Sequence, residues 1–347
     1  MAVKRIGLDI GSTEVRLAEV EFAGKGPSAG AKGTLTAFAR VPLPSGSVQQ
    51  AEVVDVSAVG AAIKKAFHSG GFSTKEVVVG VCTPAVVVRE IELPEMPLSQ
   101  LRSSLPFQVQ EMLPMSADEA LLDFYPTGQR DTDNASLLRG ILVAAPKGLV
   151  AQNVLAVENA GLRPVQVDLG AFALLRAQMT DALAGQVVAF VDIGARTTTV
   201  VVAANGSPRL VRMLADGGQS VTTAITSAAK VEVAHAEQLK QQLGSAPPDV
   251  RDGVEAALRT LVEGIRNTFV YYASSNPGAA IDQVVITGGG ALTHGLGQAL
   301  ASASRLRVTY GNAFARVSAG KKVSRDSLAG LESMVPTAVG LAFGEVS

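Results

Sequence analysis

The 347-residue chain carries 30 basic and 31 acidic side chains, a formal net charge of −1, and 47% apolar residues. Near-neutrality leaves no electrostatic footprint for nucleic acid, and so large an apolar fraction beside 18% charged residues excludes a disordered chain. Cys82 is the single cysteine, which excludes an internal disulfide, a cysteine-rich zinc site and an iron–sulfur cluster.

Ile6 and Leu8 alternate into Asp9-Ile10-Gly11-Ser12-Thr13, and Val15, Leu17 and Val20 follow, which predicts strand, tight turn, strand over residues 5–20. Only Ile6-Gly7-Leu8 separate the basic pair Lys4-Arg5 from Asp9, too short for the apolar region of a signal peptide, so a cytoplasmic chain is expected. Residues 23–33, AGKGPSAGAKG, read as a loop; their Gly26-Pro27-Ser28-Ala29-Gly30 matches GxSxG without the strand-to-helix turn of a nucleophile elbow. A helix is predicted from Val56 to Phe67, stopping at Gly70-Gly71, and a buried strand over 77–81. The longest charge-free apolar stretch, Val77 to Val88, falls short of the roughly 20 residues of a spanning helix.

From Pro84 to Gly161 the texture changes. Pro94, Pro97, Pro106 and Pro114 punctuate a strand and a helix, LLDFYP and LLRGILVAA supply two strands, and a helix runs from Gly148 to Asn159; an inserted subdomain is expected. A short strand over Val165–Asp168 and a buried helix over Ala171–Leu183 close the first half. The second half opens like the first, since VVAFVDIGARTTTVVV at 187–202 repeats the plan of RIGLDIGSTEVRLAEV at 5–20. Helices over Val233–Leu243 and Val250–Ala273 precede a strand, Gln283–Thr287, that enters Gly288-Gly289-Gly290 and another helix.

Each Asp-Ile-Gly turn is a candidate phosphate cradle. Glycine lets backbone N–H groups approach the oxygens, Ser12 and Thr13 or Thr197, Thr198 and Thr199 add hydroxyl donors, and Asp9 and Asp192 are hard oxygen ligands suited to Mg²⁺ through water. The triple glycine places backbone where a planar ligand can approach, beside a helix N-terminus. No GxxxxGK[ST] occurs, and no GxGxxG follows a strand. His68, His235 and His294 lack partners at metal-ligand spacing, Cys82 reads as an inert buried thiol, and Tyr271-Tyr272 as core packing.

In this order DIGST, DIGARTTT and TGGGAL resemble the phosphate-1, phosphate-2 and adenosine motifs of the actin-like ATPase superfamily. MLPMSADEALLDFYP, ILVAAPKGLVAQNVLAVENAGLRPVQVDLGAFALLRA, DGGQSVTTAI, and AEQLK followed by EGIRNTFVYY narrow the resemblance to the PilM family of type IV pilus assembly, relatives of the FtsA division proteins. The resemblance implies an α/β, ribonuclease H-like two-lobed fold with an insertion in each half. Residues 1–83 and 162–185 would form the first core domain around a partner-binding insertion at 84–161. Residues 186–214 and 281–347 would form the second core domain around a helical insertion at 215–280, the last helix returning to the first lobe.

The resemblance further implies ATP with Mg²⁺ between the lobes. Gly11, Ser12, Thr13 and Arg16 would sit on one phosphate face and Gly194, Thr197 and Thr198 on the other, with Asp9 and Asp192 flanking the metal. Gly218 and the Glu-x-x-Lys pair Glu237 and Lys240 would touch ribose and adenine, and Gly288, Gly289, Gly290 and Leu292 would close the base pocket. Asp168 falls near the place of a residue that orients attacking water; capping the helix from Ala171 is its alternative role. Arg16 replaces the lysine of many relatives, and Ala195 and Arg196 stand where actin has an acidic residue and a glycine, so binding with slow turnover is expected.

The partner implied is the N-terminal cytoplasmic tail of a PilN-like inner-membrane protein, which would hold this chain at the inner face of the membrane; pilus motor ATPases and self-association are further expectations of the resemblance. An FtsA-like filament former would carry a basic amphipathic helix beyond a linker, whereas the sequence stops at GLAFGEVS. A small-molecule kinase would need an aspartate aimed at a substrate hydroxyl, for which Asp168 is the candidate.

Overall fold

Alternating apolar residues build β1 (Val3–Ile10) and β2 (Glu14–Phe22), an antiparallel pair in which Asp9 faces Arg16. The computed structural model describes residues 2–24, 26, 27, 31–132, 135–241, 243 and 247–344; Ser28, Ala29 and Gly30 of the GxSxG match lie outside the described residues. Next come β3 (Gly33–Pro42), a hairpin of β4 (Val48–Gln49) and β5 (Glu52–Val53), α1 (Val56–Gly70) and β6 (Glu76–Val81). Asp55 caps α1 by accepting from the Ala58 N–H at 2.9 Å, and Gly71, at φ +67°, ends it in the left-handed conformation.

The proline-punctuated stretch forms its own sheet from β7 (Val87–Pro94), then α2 (Leu98–Val109), β8 (Ala120–Thr132) and β9 (Ala135–Pro146), ordered β7-β9-β8. Leu101, Leu105 and Val109 of α2 bury against Phe124 and Leu142 of this sheet. The chain continues through α3 (Lys147–Asn159) and β10 (Arg163–Leu169) to α4 (Gly170–Gln178). This helix is shorter than its apolar run predicts. After Gln178 the backbone leaves the helix at Met179 and crosses to the second lobe, while the Gln178 side chain turns inward and accepts from the Asn312 N–H at 3.0 Å.

The second lobe comprises β11 (Val187–Ile193), β12 (Thr198–Ala204), β13 (Ser207–Leu214), α5 (Gly218–Ala229), α6 (Val233–Gln241), α7 (Pro248–Ser275), β14 (Gln283–Thr287), α8 (Leu296–Ser304) and β15 (Arg307–Tyr310). Its sheet runs β13-β12-β11-β14-β15; the first-lobe sheet runs β3-β2-β1-β6-β10, with the same senses at every junction. The repeat legible in the two Asp-Ile-Gly turns is therefore a repeat of whole sheets. Finally β16 (Val317–Ala319) pairs with β3, and after α9 (Arg325–Leu328) the short α10 (Pro336–Ala342) packs on β1, β2 and α4.

Three apolar layers hold this arrangement. α1 and α3 cover one face of the first sheet, while α5, α7 and α8 cover one face of the second. Between the sheets lies α4, whose Leu174 and Leu175 join Val81, Leu169, Phe190 and Val201. Of the tyrosine pair, Tyr272 enters the core at 1% exposure, whereas Tyr271 is exposed because it falls off the buried stripe of α7. Among the described residues no helix is long and apolar enough to cross a membrane.

Candidate functional site

The two turns are congruent. The Gly11 N–H donates to Glu14 O at 3.0 Å and the Gly194 N–H to Thr197 O at 2.9 Å, so each Asp-Ile-Gly corner closes with the same hydrogen bond. Register places Asp9 opposite Arg16 and Asp192 opposite Thr199, equivalent positions of the two hairpins. The lobes meet at these corners: Cys82 Sγ, just beyond β6, lies 3.0 Å from Thr199 Oγ1, and Arg196 Nη1 donates to Val48 O at 3.5 Å.

Charge is concentrated here. Arg16 donates from Nη1 to Asp9 Oδ2 at 2.9 Å and from Nε to Glu14 Oε1 at 2.7 Å. Burial alone would lower the Arg16 pKa; Asp9, Glu14 and Asp192 together raise it above its ordinary value. Asp192 accepts from Thr287 Oγ1 at 2.8 Å, yet burial, with Asp9 adding to it, pushes its carboxyl up to about 6. Thr287 and Glu14 escape motif reading, although strand register offers the signal: Thr287 is the residue of β14 paired with Asp192.

The expected base-side residues also converge. The α5 N-terminus is fastened to the second turn through Gly218 N–H to Gly194 O at 2.9 Å and Gln219 N–H to Ala195 O at 2.7 Å. Lys240 Nζ donates to Gly218 O at 2.7 Å and to Thr222 Oγ1 at 3.1 Å, with Glu237 Oε2 at 3.7 Å; Thr222 donates in turn to Glu237. Burial lowers the Lys240 pKa, and Glu237 opposes that shift. Gly288, at φ +88°, passes so close to β11 that a Cβ would sit 2.3 Å from Ile193 O, and one on Gly290 would meet Ile193 Cγ2 at 2.6 Å. The helix expected after the glycines is a single 3₁₀ turn, Gly289–Leu292; α8 starts only at Leu296, so the glycines serve close packing rather than a helix dipole.

Not every candidate faces the cleft. Thr198 is fully buried and donates to Asp216 O at 2.8 Å, bracing the loop before α5, and Leu292 is half exposed on the 3₁₀ turn. Ser12, Thr13 and Thr197 lie on the turns themselves, half buried or exposed. Asp168 stands two strands from Asp9, each paired with Gly80, hence about 10 Å across the sheet. Its carboxylate is bound by Arg176 and by the Leu169 N–H at 2.8 Å, and it lines a different space.

That space is a cavity of about 790 Å³ between β8, α2, β10 and α4, reached also by Gly206 and Pro208 of the second lobe. Leu98, Leu101, Leu121 and Phe172 give it an apolar stretch of wall, Arg102, Asp123, Asp168 and Arg176 a charged one, and Tyr125 lies against Phe172 with ring centroids 5.3 Å apart. Both β8 and β10 are edge strands of their sheets, so the cavity is flanked by unpaired backbone edges among the described residues.

Chemically, the cleft suits a phosphorylated ligand with a divalent cation. Two carboxylates approach from opposing strands, one of them raised in pKa by burial, and paired glycine turns and the α5 N-terminus adjoin them. The family model described as type IV pilus assembly protein PilM matches residues 7–346. A solved PilM-PilN type IV pilus biogenesis complex contains a chain with TM-score 0.85 and 25% identity, covering 98% of each chain. The cell division protein FtsA of Bacillus subtilis (strain 168) is 25% identical over 228 residues, 59% of this chain and 51% of that protein. The chain spans about half the length of the curated relatives it matches. MreB5 of Spiroplasma citri bound to AMPPNP superposes with TM-score 0.54 at 11% identity over 97% of this chain and 94% of that one, a likeness of fold.

Proposed function

The chain belongs to the PilM family of type IV pilus assembly proteins, and from that premise we propose that it is an ATP-binding, actin-like adaptor that docks the cytoplasmic tail of a PilN-like membrane protein and couples that docking to nucleotide state. The observation that carries the reading is the coexistence of two sites in one chain: a charged cleft between duplicated turns, and a partly apolar cavity flanked by two strand edges that are unpaired among the described residues.

In the cleft, Asp9 and Asp192 would hold Mg²⁺, while the turns at Gly11 and Gly194 and the Gly218, Lys240 and Gly290 cluster would enclose the nucleotide. Bound cation would neutralise phosphate charge. The residues themselves orient the ligand and fix the angle between lobes, and slow turnover agrees with an Asp168 already engaged by Arg176. In the cavity, an extended tail would pair its backbone with β8 or β10 while alternate side chains enter the apolar wall. Coupling has a physical route. The second lobe contributes Gly206 and Pro208 to the cavity, and its Arg209 lies 3.9 Å from Glu90 of β7, so lobe closure reshapes the cavity wall.

Calorimetry of nucleotide-stripped protein with Mg-ATP, and of the same protein with a synthetic N-terminal PilN-type peptide, tests this. Saturable ATP binding lost in Asp192→Ala, with peptide affinity that changes when ATP is present, is the expected result. Peptide binding indifferent to nucleotide would remove the coupling; no ATP binding by folded protein would remove the nucleotide site.

A further inference from the structure

Arg16 is placed where an incoming metal ion would deliver its charge. It bonds two carboxylates directly, Asp9 and Glu14, and feels the charge of a third, Asp192; both Asp9 and Arg16 side chains are more than four-fifths buried. The neighbouring cations are committed elsewhere: Lys240 to Gly218 O and Thr222, Arg196 to Val48 O, and Arg40 to Glu14 Oε2 at 3.8 Å. Two like charges in one poorly hydrated cleft require a counter-ion, and in the protein alone Arg16 supplies it.

The geometry points to Arg16 as the resident counter-ion of Asp9 and Asp192, an arrangement that makes divalent-cation binding conditional on the phosphates of the nucleotide. This rests on the nucleotide reading of the cleft. A cation entering alone meets the guanidinium's like charge next to Asp9. One that enters with phosphates brings the negative charge that Arg16 needs when its share of Asp9 is reduced. Arginine suits the role because it stays protonated when buried and its planar fork serves two acceptors at once, as it does here with Asp9 and Glu14. The hairpin register enforces the pairing, since residue 16 lies directly across from residue 9.

The test uses the full chain free of nucleotide, titrated with MgCl₂ alone and followed by calorimetry and thermal melting. Wild-type protein should show no saturable Mg²⁺ binding and no shift of its melting midpoint. Arg16→Gln should bind Mg²⁺ alone at least about tenfold more tightly and rise in melting midpoint, the ratio expected for loss of one charge-assisted pair that opposed the ion. Arg16→Gln combined with Asp192→Asn, which carries one charge fewer, should lose that gain. An equal response of wild type and Arg16→Gln overturns the proposal, and so does saturable Mg²⁺ binding by the wild type, a result that needs no variant to fold. Failure of the wild type to bind Mg-ATP would instead defeat the nucleotide reading, while the Mg²⁺ response of Arg16→Gln judges the counter-ion role by itself.

Discussion

Cys82 Sγ and Thr199 Oγ1, one from each lobe, sit 3.0 Å apart at the floor of the cleft. Burial raises the thiol pKa to about 12 from an ordinary 9.0, and the carboxylates of Asp192 and Asp9 push the same way against the Thr199 hydrogen bond. Alkylation of Cys82 at pH 8 is therefore expected to run about a thousandfold slower than that of an unperturbed thiol, in proportion to thiolate population. Mass-spectrometric labelling rates measure this directly, and Mg-ATP should slow labelling further; a fast, nucleotide-independent rate would show that the lobes do not close on this contact.

Asp192 gives the protein a pH signature. Its folded pKa, about 6, lies above the unfolded value of 3.8, so the folded state holds the proton more tightly. Its contribution is fully present below about pH 4 and is lost as pH rises through 6, at a cost on the order of 3 kcal/mol. Asp192→Asn should consequently gain stability relative to the wild type between pH 4 and pH 7 in denaturant titrations without nucleotide. A difference that stays flat over that window would contradict the burial argument.

Gly288 tests backbone geometry apart from ligand binding. With φ +88° and Ile193 O in the space of any Cβ, Gly288→Ala is expected to cost about 2 kcal/mol or more of unfolding free energy. Chemical denaturation reads the loss; Gly289→Ala, whose Cβ would meet only Met334 Cε at 3.5 Å, should stay within about 0.5 kcal/mol of wild type.

Leu121 separates cavity function from stability. It lines the cavity from β8 while remaining 45% exposed, so Leu121→Asp should alter stability by less than about 1 kcal/mol. The same substitution places a charge on the apolar wall and should weaken the PilN-type peptide by more than about tenfold. Unchanged peptide affinity would move the docking site elsewhere.

Sequence periodicity reveals the sheets well because their strands are short, β-branched and bounded by glycine turns, as in Val77–Val81 and Val187–Ile193. It reveals α10 poorly. All seven residues of that helix are buried, so Pro336–Ala342 has no polar face and hence no 3.6-residue signature. The cradle glycines and both aspartates are legible as motifs. The Asp9–Arg16 pairing can be obtained only by counting register around the turn, and the distance of Asp168 from Asp9 depends on how β10, β6 and β1 are ordered in space. No local pattern encodes strand order between segments separated by 70 residues or more.

The position of α10 also bears on synthesis. Ala18, Val20, Phe22 and Leu35 are covered by Ala338, Val339 and Phe343, with the rings of Phe22 and Phe343 meeting edge to face at 4.9 Å. A ribosome translating this chain exposes the apolar back of the first hairpin long before it makes the segment that covers it. The first lobe thus emerges as an unfinished body, with hydrophobic surface open to chaperones or to neighbouring nascent chains until α10 has been made.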